Sequence, residues 1–317
     1  MISIIIPFYN EKENLPLLVK KLIKEGKRLT EPYEVIFIDD GSLDNFQFSI
    51  FPKRIPSKFF GVNNFQKNIK LIKHRKRFGK GKALLTGFKE SKGDTIVFMD
   101  ADLQNDPHEV SKFIQTIEKG FDFVNGWRID RKDPLSKKIP SYIFNTVLLK
   151  FFFKSKFHDI NCGYKAMRRE VLDQIPLYGD NYRFLPIMAE QEGFKTTELE
   201  VKHYPRMFGS SKYGLFRLLS GLFDTITTYF VYKFSDKPLH FFGPIGASLF
   251  FGGFFITINL TIGRIFYGMQ LYRRPLLLFG TLLIIVGIQF VMTGFIAELF
   301  VYLRKKNHES NPRTHNR

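Results

Sequence analysis

Over roughly the first two-thirds of the chain, short β-branched and aromatic runs alternate with segments of helical period. The pattern predicts strands at 2–8 (ISIIIPF), 34–39 (EVIFID), 69–73, 95–99 (TIVFM) and 121–125, and helices at 13–25, 80–91 and 107–119. Runs this short, apolar at nearly every position and interleaved with helices, imply an α/β fold with a largely parallel sheet covered on both faces. In such sheets the ligand lies beyond the carboxyl ends of the strands, so the polar residues that stop the strands become site candidates. Residues 46–68 break the rhythm: they are rich in Phe, Lys and Asn, contain Pro52 and Pro56, and read as an irregular surface excursion. Residues 141–155 read as a very apolar helix, and no internal repeat is visible.

The last third reads differently. No charge falls between His240 and Arg264, or between Arg274 and Glu298. Each gap exceeds the about 20 apolar residues that cross a bilayer core, so two membrane spans are expected, near 241–263 and 275–299. Residues 215–234 form an amphipathic pattern just before them, suited either to the membrane interface or to packing on the soluble domain. Two spans put the N-terminal domain and the tail on one side. Lys233, Lys237, Arg304, Lys305, Lys306, Arg313 and Arg317 bias that side towards the cytoplasm, against Arg264, Arg273 and Arg274 in the connecting loop.

Charge sharpens the picture. The 317 residues carry 48 Lys and Arg against 30 Asp and Glu, a formal +18, which points to nucleic acid, phosphate ligands or an anionic membrane. Phe concentrates in and near the membrane-like segments rather than interleaving with basic residues, which favours a bilayer and no nucleic acid. A single cysteine, Cys162, excludes an intrachain disulfide. The opening MISIIIPFYN lacks the basic leader of a signal peptide.

Three predicted strands end in polar or acidic residues: Asn10 and Glu11 after the first, Asp39 and Asp40 after the second, and Asp100, Asp102 and Gln104 after 95–99. A lone Asp there is usually a turn residue, but three such ends on one sheet edge suggest a site. Carboxylates two apart in extended chain share a face, so Asp100 and Asp102 can reach one cation, and hard oxygen ligands suit Mg²⁺ or Mn²⁺. Asp106, before Pro107, reads as a helix cap. RKRFGKGKALLTG places Gly79, Lys80 and Gly81 at a helix start, resembling a phosphate cradle without Walker spacing. Further basic residues are Arg128 and Arg131, and Arg206 with Ser210, Ser211 and Lys212 beside the amphipathic segment. Any one of these clusters could be a solvated face.

SIIIPFYNEKENL, VIFIDDGS, RFGKGKALLTG, FMDADLQNDP, DINCGYKAMRREVL and HYPRMFGSSKYG, in that order and followed by two spans, resemble the family 2 glycosyltransferases. More narrowly they resemble polyprenyl-phosphate glycosyltransferases of the dolichol-phosphate mannose synthase type. The resemblance implies a Rossmann-like GT-A domain over 1–212, a juxtamembrane helix over 213–239, two spans within 240–303 and a basic tail over 304–317. It implies inverting transfer of one sugar from a UDP- or GDP-linked donor to undecaprenyl or dolichyl phosphate, at the cytoplasmic face of the inner membrane, by a homo-oligomer that can be tetrameric. Pro7, Tyr9, Glu11, Asp39, Asp40, Lys80 and Asp100 would bind the donor. Asp100, Asp102 and Gln104 would hold Mg²⁺ or Mn²⁺. Arg128 and Arg131 would face phosphate, and Asp159 matches the position of a base. Arg206, Ser210, Ser211 and Lys212 would meet the lipid phosphate. A lipid monophosphate, with a second pKa of about 6, needs little deprotonation, so Asp159 is as readily a positioning group. In the second span Ala297-Glu298-Leu299 departs from the Gly-Glu-Tyr of many bacterial members, and Glu298 is expected to serve between spans or subunits, or to pair with Arg304. Rival readings are transfer to a non-phosphorylated lipid, a polysaccharide synthase (whose Gln-x-x-Arg-Trp motif is missing), a nucleotidyltransferase, or a membrane-anchored scaffold.

Overall fold

A computed structural model describes residues 1–44, 68–129, 155–205, 216–268 and 275–310. The excursion expected at 46–68 and the helix expected at 141–155 fall almost wholly outside those residues, as do Arg131, Arg206, Ser210, Ser211 and Lys212. The chain divides into two compact units, Met1–Ile226 and Thr227–Arg317.

The first unit is built on a sheet of β1 (Ile2–Phe8), β2 (Tyr33–Asp39), β3 (Ile69–Lys73), β4 (Thr95–Phe98), β5 (Phe123–Arg128), β6 (Lys165–Arg168) and β7 (Thr196–Val201), in the order β3-β2-β1-β4-β6-β5-β7. β1 pairs in parallel with β2 and β4, β2 with β3, and β5 with β7. Only β6 runs the other way, antiparallel to both β4 and β5. The sequence pattern marks β1 to β5 and leaves β6 and β7 undetected.

Helices cover both faces. On one, α1 (Leu15–Gly26) and α3 (Val110–Glu118) pack Leu15, Leu18, Leu22, Phe113 and Ile117 against Ile4, Ile6, Phe37 and Val97. On the other, α2 (Lys80–Glu90) crosses β1 at Gly87, where a Cβ would meet the Ile5 side chain at 2.3 Å. Cover on two sides is why β1 is buried at all seven positions instead of alternating. The helix expected at 107–119 begins as a 3-10 turn, Pro107–Glu109, whose cap Asp106 accepts the His108 amide at 3.2 Å. Two short helices, α4 (Arg169–Gln174) and α5 (Leu185–Gln191), complete the unit's interior, and α6 (Phe216–Phe234) crosses the division.

Within the second unit, α7 (Leu239–Tyr267) and α8 (Pro275–Ser310) are long and apolar enough to cross a membrane. Glycines bring them together. A Cβ at Gly246 would lie 2.7 Å from the Gly287 carbonyl oxygen, and one at Gly253 would lie 2.5 Å from that of Gly280. Gly294 packs against Leu239 and Phe242. The contacts step by seven residues along each helix in opposite directions, as close antiparallel packing of small residues requires. The Glu298 carboxylate accepts the Leu239 amide at 3.3 Å, satisfying a donor at the start of α7. Its expected partner, Arg304, has its side chain outside the described part.

Candidate functional site

The carboxyl ends of β1 to β5 open on one edge of the sheet. Because β6 runs backwards, its first residue and the preceding DINCGY turn reach the same edge. The register sets Phe98, Lys165 and Asn125 in one row across β4, β6 and β5. Continuing it by two residues puts Asp100 opposite Gly163. The fit is tight: a Cβ on Gly163 would stand 2.1 Å from Asp100 Oδ2. Only glycine leaves room there for the carboxylate.

Lys80, at the first turn of α2, forms an ion pair with Asp100 Oδ1 and lies 5.1 Å from the centre of the Tyr182 ring. Burial would raise the Asp100 pKa, but the Lys80 charge and hydrogen bond, with the charges of Arg128 and Lys165, hold it below the ordinary carboxylate value. Arg128, at the end of β5, grips Asp159 with a fork, Nε to Oδ2 at 2.7 Å and Nη2 to Oδ1 at 3.0 Å. Both are largely buried, with side chains 13% and 4% exposed. The structure therefore gathers Lys80, Asp100, Arg128 and Asp159, which lie far apart in sequence.

Asp102 is buried and accepts the Gln104 amide at 3.2 Å. Between them Leu103 adopts a φ of 60°, uncommon for a residue with a side chain, and turns the chain within the Asp-Ala-Asp-Leu-Gln motif. The Gln104 carboxamide reaches the Tyr204 carbonyl at 3.4 Å, and the Tyr204 amide donates back to the Gln104 carbonyl at 3.0 Å.

The second acidic end divides its labour. Asp39 accepts the Ser42 amide at 2.7 Å and lies 3.7 Å from the Lys73 ammonium. Asp40 is consumed internally: its oxygens accept the amides of Phe78 (2.9 Å) and Gly79 (2.8 Å) and the His74 Nδ1–H (2.8 Å). The other ring nitrogen of His74 meets Thr86 Oγ1 at 3.0 Å. Asp40 thus takes the two amides ahead of the helix, those of Phe78 and Gly79, while the helix itself starts at Lys80 and the loop also carries basic side chains. One of them, the Arg77 guanidinium, stands 4.5 Å over the Tyr9 ring.

At the first acidic end Pro7 is buried inside β1, beside Ile38. Asn10, with φ 52°, ties two loops together: its side chain accepts the Leu43 amide at 2.7 Å and its amide donates to Ser42 Oγ at 2.9 Å. Glu11 accepts the Asn14 side-chain amide at 2.5 Å, bracing the start of α1.

Sequence reasoning passed over Lys165, Asn125, Glu198 and His74. Lys165 is 1% exposed and donates to Asn125 Oδ1 at 2.6 Å and to the Ile160 carbonyl at 2.8 Å. Burial lowers its pKa to about 8. The available signal was a lysine in the otherwise apolar GYKAM run.

The donor set fits a divalent cation that also binds a ligand. Among the described residues no group of three His, Cys, Asp or Glu side chains could enclose a metal alone. Two carboxylates, one seated against a glycine cut to receive it, suit an ion that completes its shell with phosphate oxygens.

This sheet, with one reversed strand and acids at its carboxyl edge, defines a GT-A glycosyltransferase fold. The chain belongs to glycosyl transferase family 2, whose pattern matches residues 3–176. Relatives include the undecaprenyl-phosphate 4-deoxy-4-formamido-L-arabinose transferases of Photorhabdus laumondii (32% identical over 298 residues, 94% of this chain and 87% of the relative). That of Yersinia pestis is 33% identical over the same length and the same shares of each chain. Among solved structures, mannosyl-3-phosphoglycerate synthase from Rubrobacter xylanophilus shares the fold (TM-score 0.56, 14% identity, 73% of this chain and 74% of that one). So does glucosyl-3-phosphoglycerate synthase from Mycobacterium tuberculosis with Mn²⁺, UDP-glucose and phosphoglyceric acid (TM-score 0.54, 16% identity, 73% and 79%).

Proposed function

We propose that this enzyme transfers one sugar, with inversion, from a nucleoside-diphosphate donor to a polyprenyl phosphate at the cytoplasmic face of a membrane. The observation that carries the reading is the ring of Lys80, Arg128 and Lys165 around Asp100, in a chain that goes on to two membrane-length helices. Transfer between two phosphorylated substrates needs cations to bring anions together and to stabilise a departing diphosphate. Similarity to undecaprenyl-phosphate sugar transferases over 94% of this chain and 87% of the relative supports the acceptor class.

Asp100 and Asp102, with Gln104 alongside, would hold Mg²⁺ or Mn²⁺. That ion supplies Lewis-acid neutralisation of the donor diphosphate. A fold neighbour solved with Mn²⁺ and UDP-glucose supports a divalent ion. Lys80, paired with Asp100 here, would add its charge on the diphosphate side. Tyr9 and Asp39 line the nucleotide side, with Arg77 stacked on Tyr9. Arg128 faces a phosphate oxygen, and Asp159 aims it. The acceptor phosphate attacks as an anion, so Asp159 need not take a proton. Arg131 is assigned the same phosphate-facing role, and Arg206, Ser210, Ser211 and Lys212 receive the lipid phosphate. The expected homo-oligomer and a cytoplasmic catalytic domain belong to the same proposal.

The test supplies membranes with labelled nucleotide sugars and polyprenyl phosphate. One lipid-soluble product is expected with wild type and none with Asp102→Ala, which stays folded and membrane-bound. Undiminished transfer by Asp102→Ala would overturn the metal assignment; a labelled product on a non-phosphorylated lipid would overturn the acceptor.

A further inference from the structure

Lys165 is almost wholly removed from solvent, and no role above uses it beyond its field. Its surroundings form a connected line. The Lys165 ammonium donates to Asn125 Oδ1 (2.6 Å), and the Asn125 amide donates through Nδ2 to the Asp159 carbonyl (2.9 Å). The same ammonium holds the next carbonyl, that of Ile160, at 2.8 Å. From β7, the Glu198 carboxylate accepts the amides of His158 (3.0 Å) and Asp159 (3.3 Å). The turn 158–160 is thus pinned through amides and carbonyls by side chains from β5, β6 and β7. What it presents is the Asp159 carboxylate, and both of its oxygens grip Arg128.

We propose that Lys165, acting through Asn125 and the turn that carries Asp159, is a positioning residue that fixes the direction of the Arg128 guanidinium. The inference rests on the reading above, in which Arg128 meets a phosphate. The chemistry of the row explains why a cation stands there. An apolar side chain would fill the same space without the desolvation penalty of a buried ammonium, but it would leave the Ile160 carbonyl and Asn125 Oδ1 without donors. The positive charge also lies near Asp159 and Asp100, offsetting part of their burial. A guanidinium held by a fork has little freedom left to be aimed except through its carboxylate, so control of the turn is control of Arg128.

The test is a double-mutant cycle on the full-length protein in nanodiscs, with donor and polyprenyl phosphate supplied. Arg128→Ala is expected to lower transfer about 100-fold, and Lys165→Met about 10-fold or more. The loss should fall in the same kinetic parameter for both. The double variant is expected to be no slower than Arg128→Ala, because the effect of Lys165 passes through the missing guanidinium. Should Lys165→Met not fold, Asn125→Ala breaks the line one link further along and enters the same cycle. Losses that multiply in the double variant, or wild-type transfer by Lys165→Met, would overturn the positioning role while leaving Arg128's intact. Wild-type transfer by Arg128→Ala alone would overturn the phosphate role given to that arginine, and the positioning proposal with it.

Discussion

Arg128 and Asp159 meet side by side, two nitrogens to two oxygens, at 2.7 and 3.0 Å. A carboxylate held in that way has little basicity to offer, because protonating it would forfeit both charge-assisted bonds. Asp159→Asn should keep the turn and lower transfer by about 10- to 100-fold through a misdirected guanidinium. The acid limb of the pH–rate profile should survive. Disappearance of that limb in the variant would return Asp159 to the role of general base.

Gly163→Ala tests the seat of Asp100. The new methyl would stand 2.1 Å from Oδ2 and 2.6 Å from the carboxyl carbon, so the carboxylate has to move. We expect about a 100-fold loss of transfer and weaker Mn²⁺-dependent donor binding, with the melting temperature little changed. Calorimetric titration of donor with and without metal separates these effects; unchanged binding would mean that Asp100 does not hold the ion.

Asp40→Ala removes the acceptor of two backbone amides and an imidazole. Bonds to a charged group contribute about 1.5–3 kcal/mol each, and the buried donors left behind add to the loss. A drop of about 3 kcal/mol in urea unfolding is expected, together with weaker donor binding, since Arg77 and Lys80 ride on this loop. Lost donor affinity at unchanged stability would instead assign Asp40 a direct contact with the nucleotide.

Lys165 makes stability depend on alkali in a definite sense. Its folded pKa is about 8, whereas in an unfolded chain lysine titrates near ~10.4. Between those values the unfolded chain binds more protons, so this group's contribution to stability rises with pH across that window. Below it, burying the ammonium costs about 3 kcal/mol. Wild type should therefore gain stability relative to Lys165→Met from about pH 8 upwards. A pH-independent difference between the two would rule out a strongly lowered pKa.

The sequence could announce β1, β2 and β4 because cover on both faces makes them mostly apolar. It could announce Asp100 and Asp102 because an acid at the end of such a run is conspicuous. β6 has only four residues and opens on Lys165, which by composition reads as solvent-facing. β7 (TTELEV) is polar at alternate positions. Lys165 becomes intelligible only once the reversed strand sets it between Phe98 and Asn125, a relation of register that no local window contains. Asp40 misleads in the opposite way. It looks as available as Asp39, but the loop that occupies it lies more than thirty residues further along the chain.

The glycine seam between α7 and α8 works as a ratchet with one notch. Gly246 meets Gly287 and Gly253 meets Gly280, so sliding one helix past the other by less than a heptad would drive a side chain into a backbone carbonyl. The hairpin therefore has one setting of length. If the hairpin spans a bilayer thicker or thinner than that setting, the two helices would lean together as a single strut instead of telescoping.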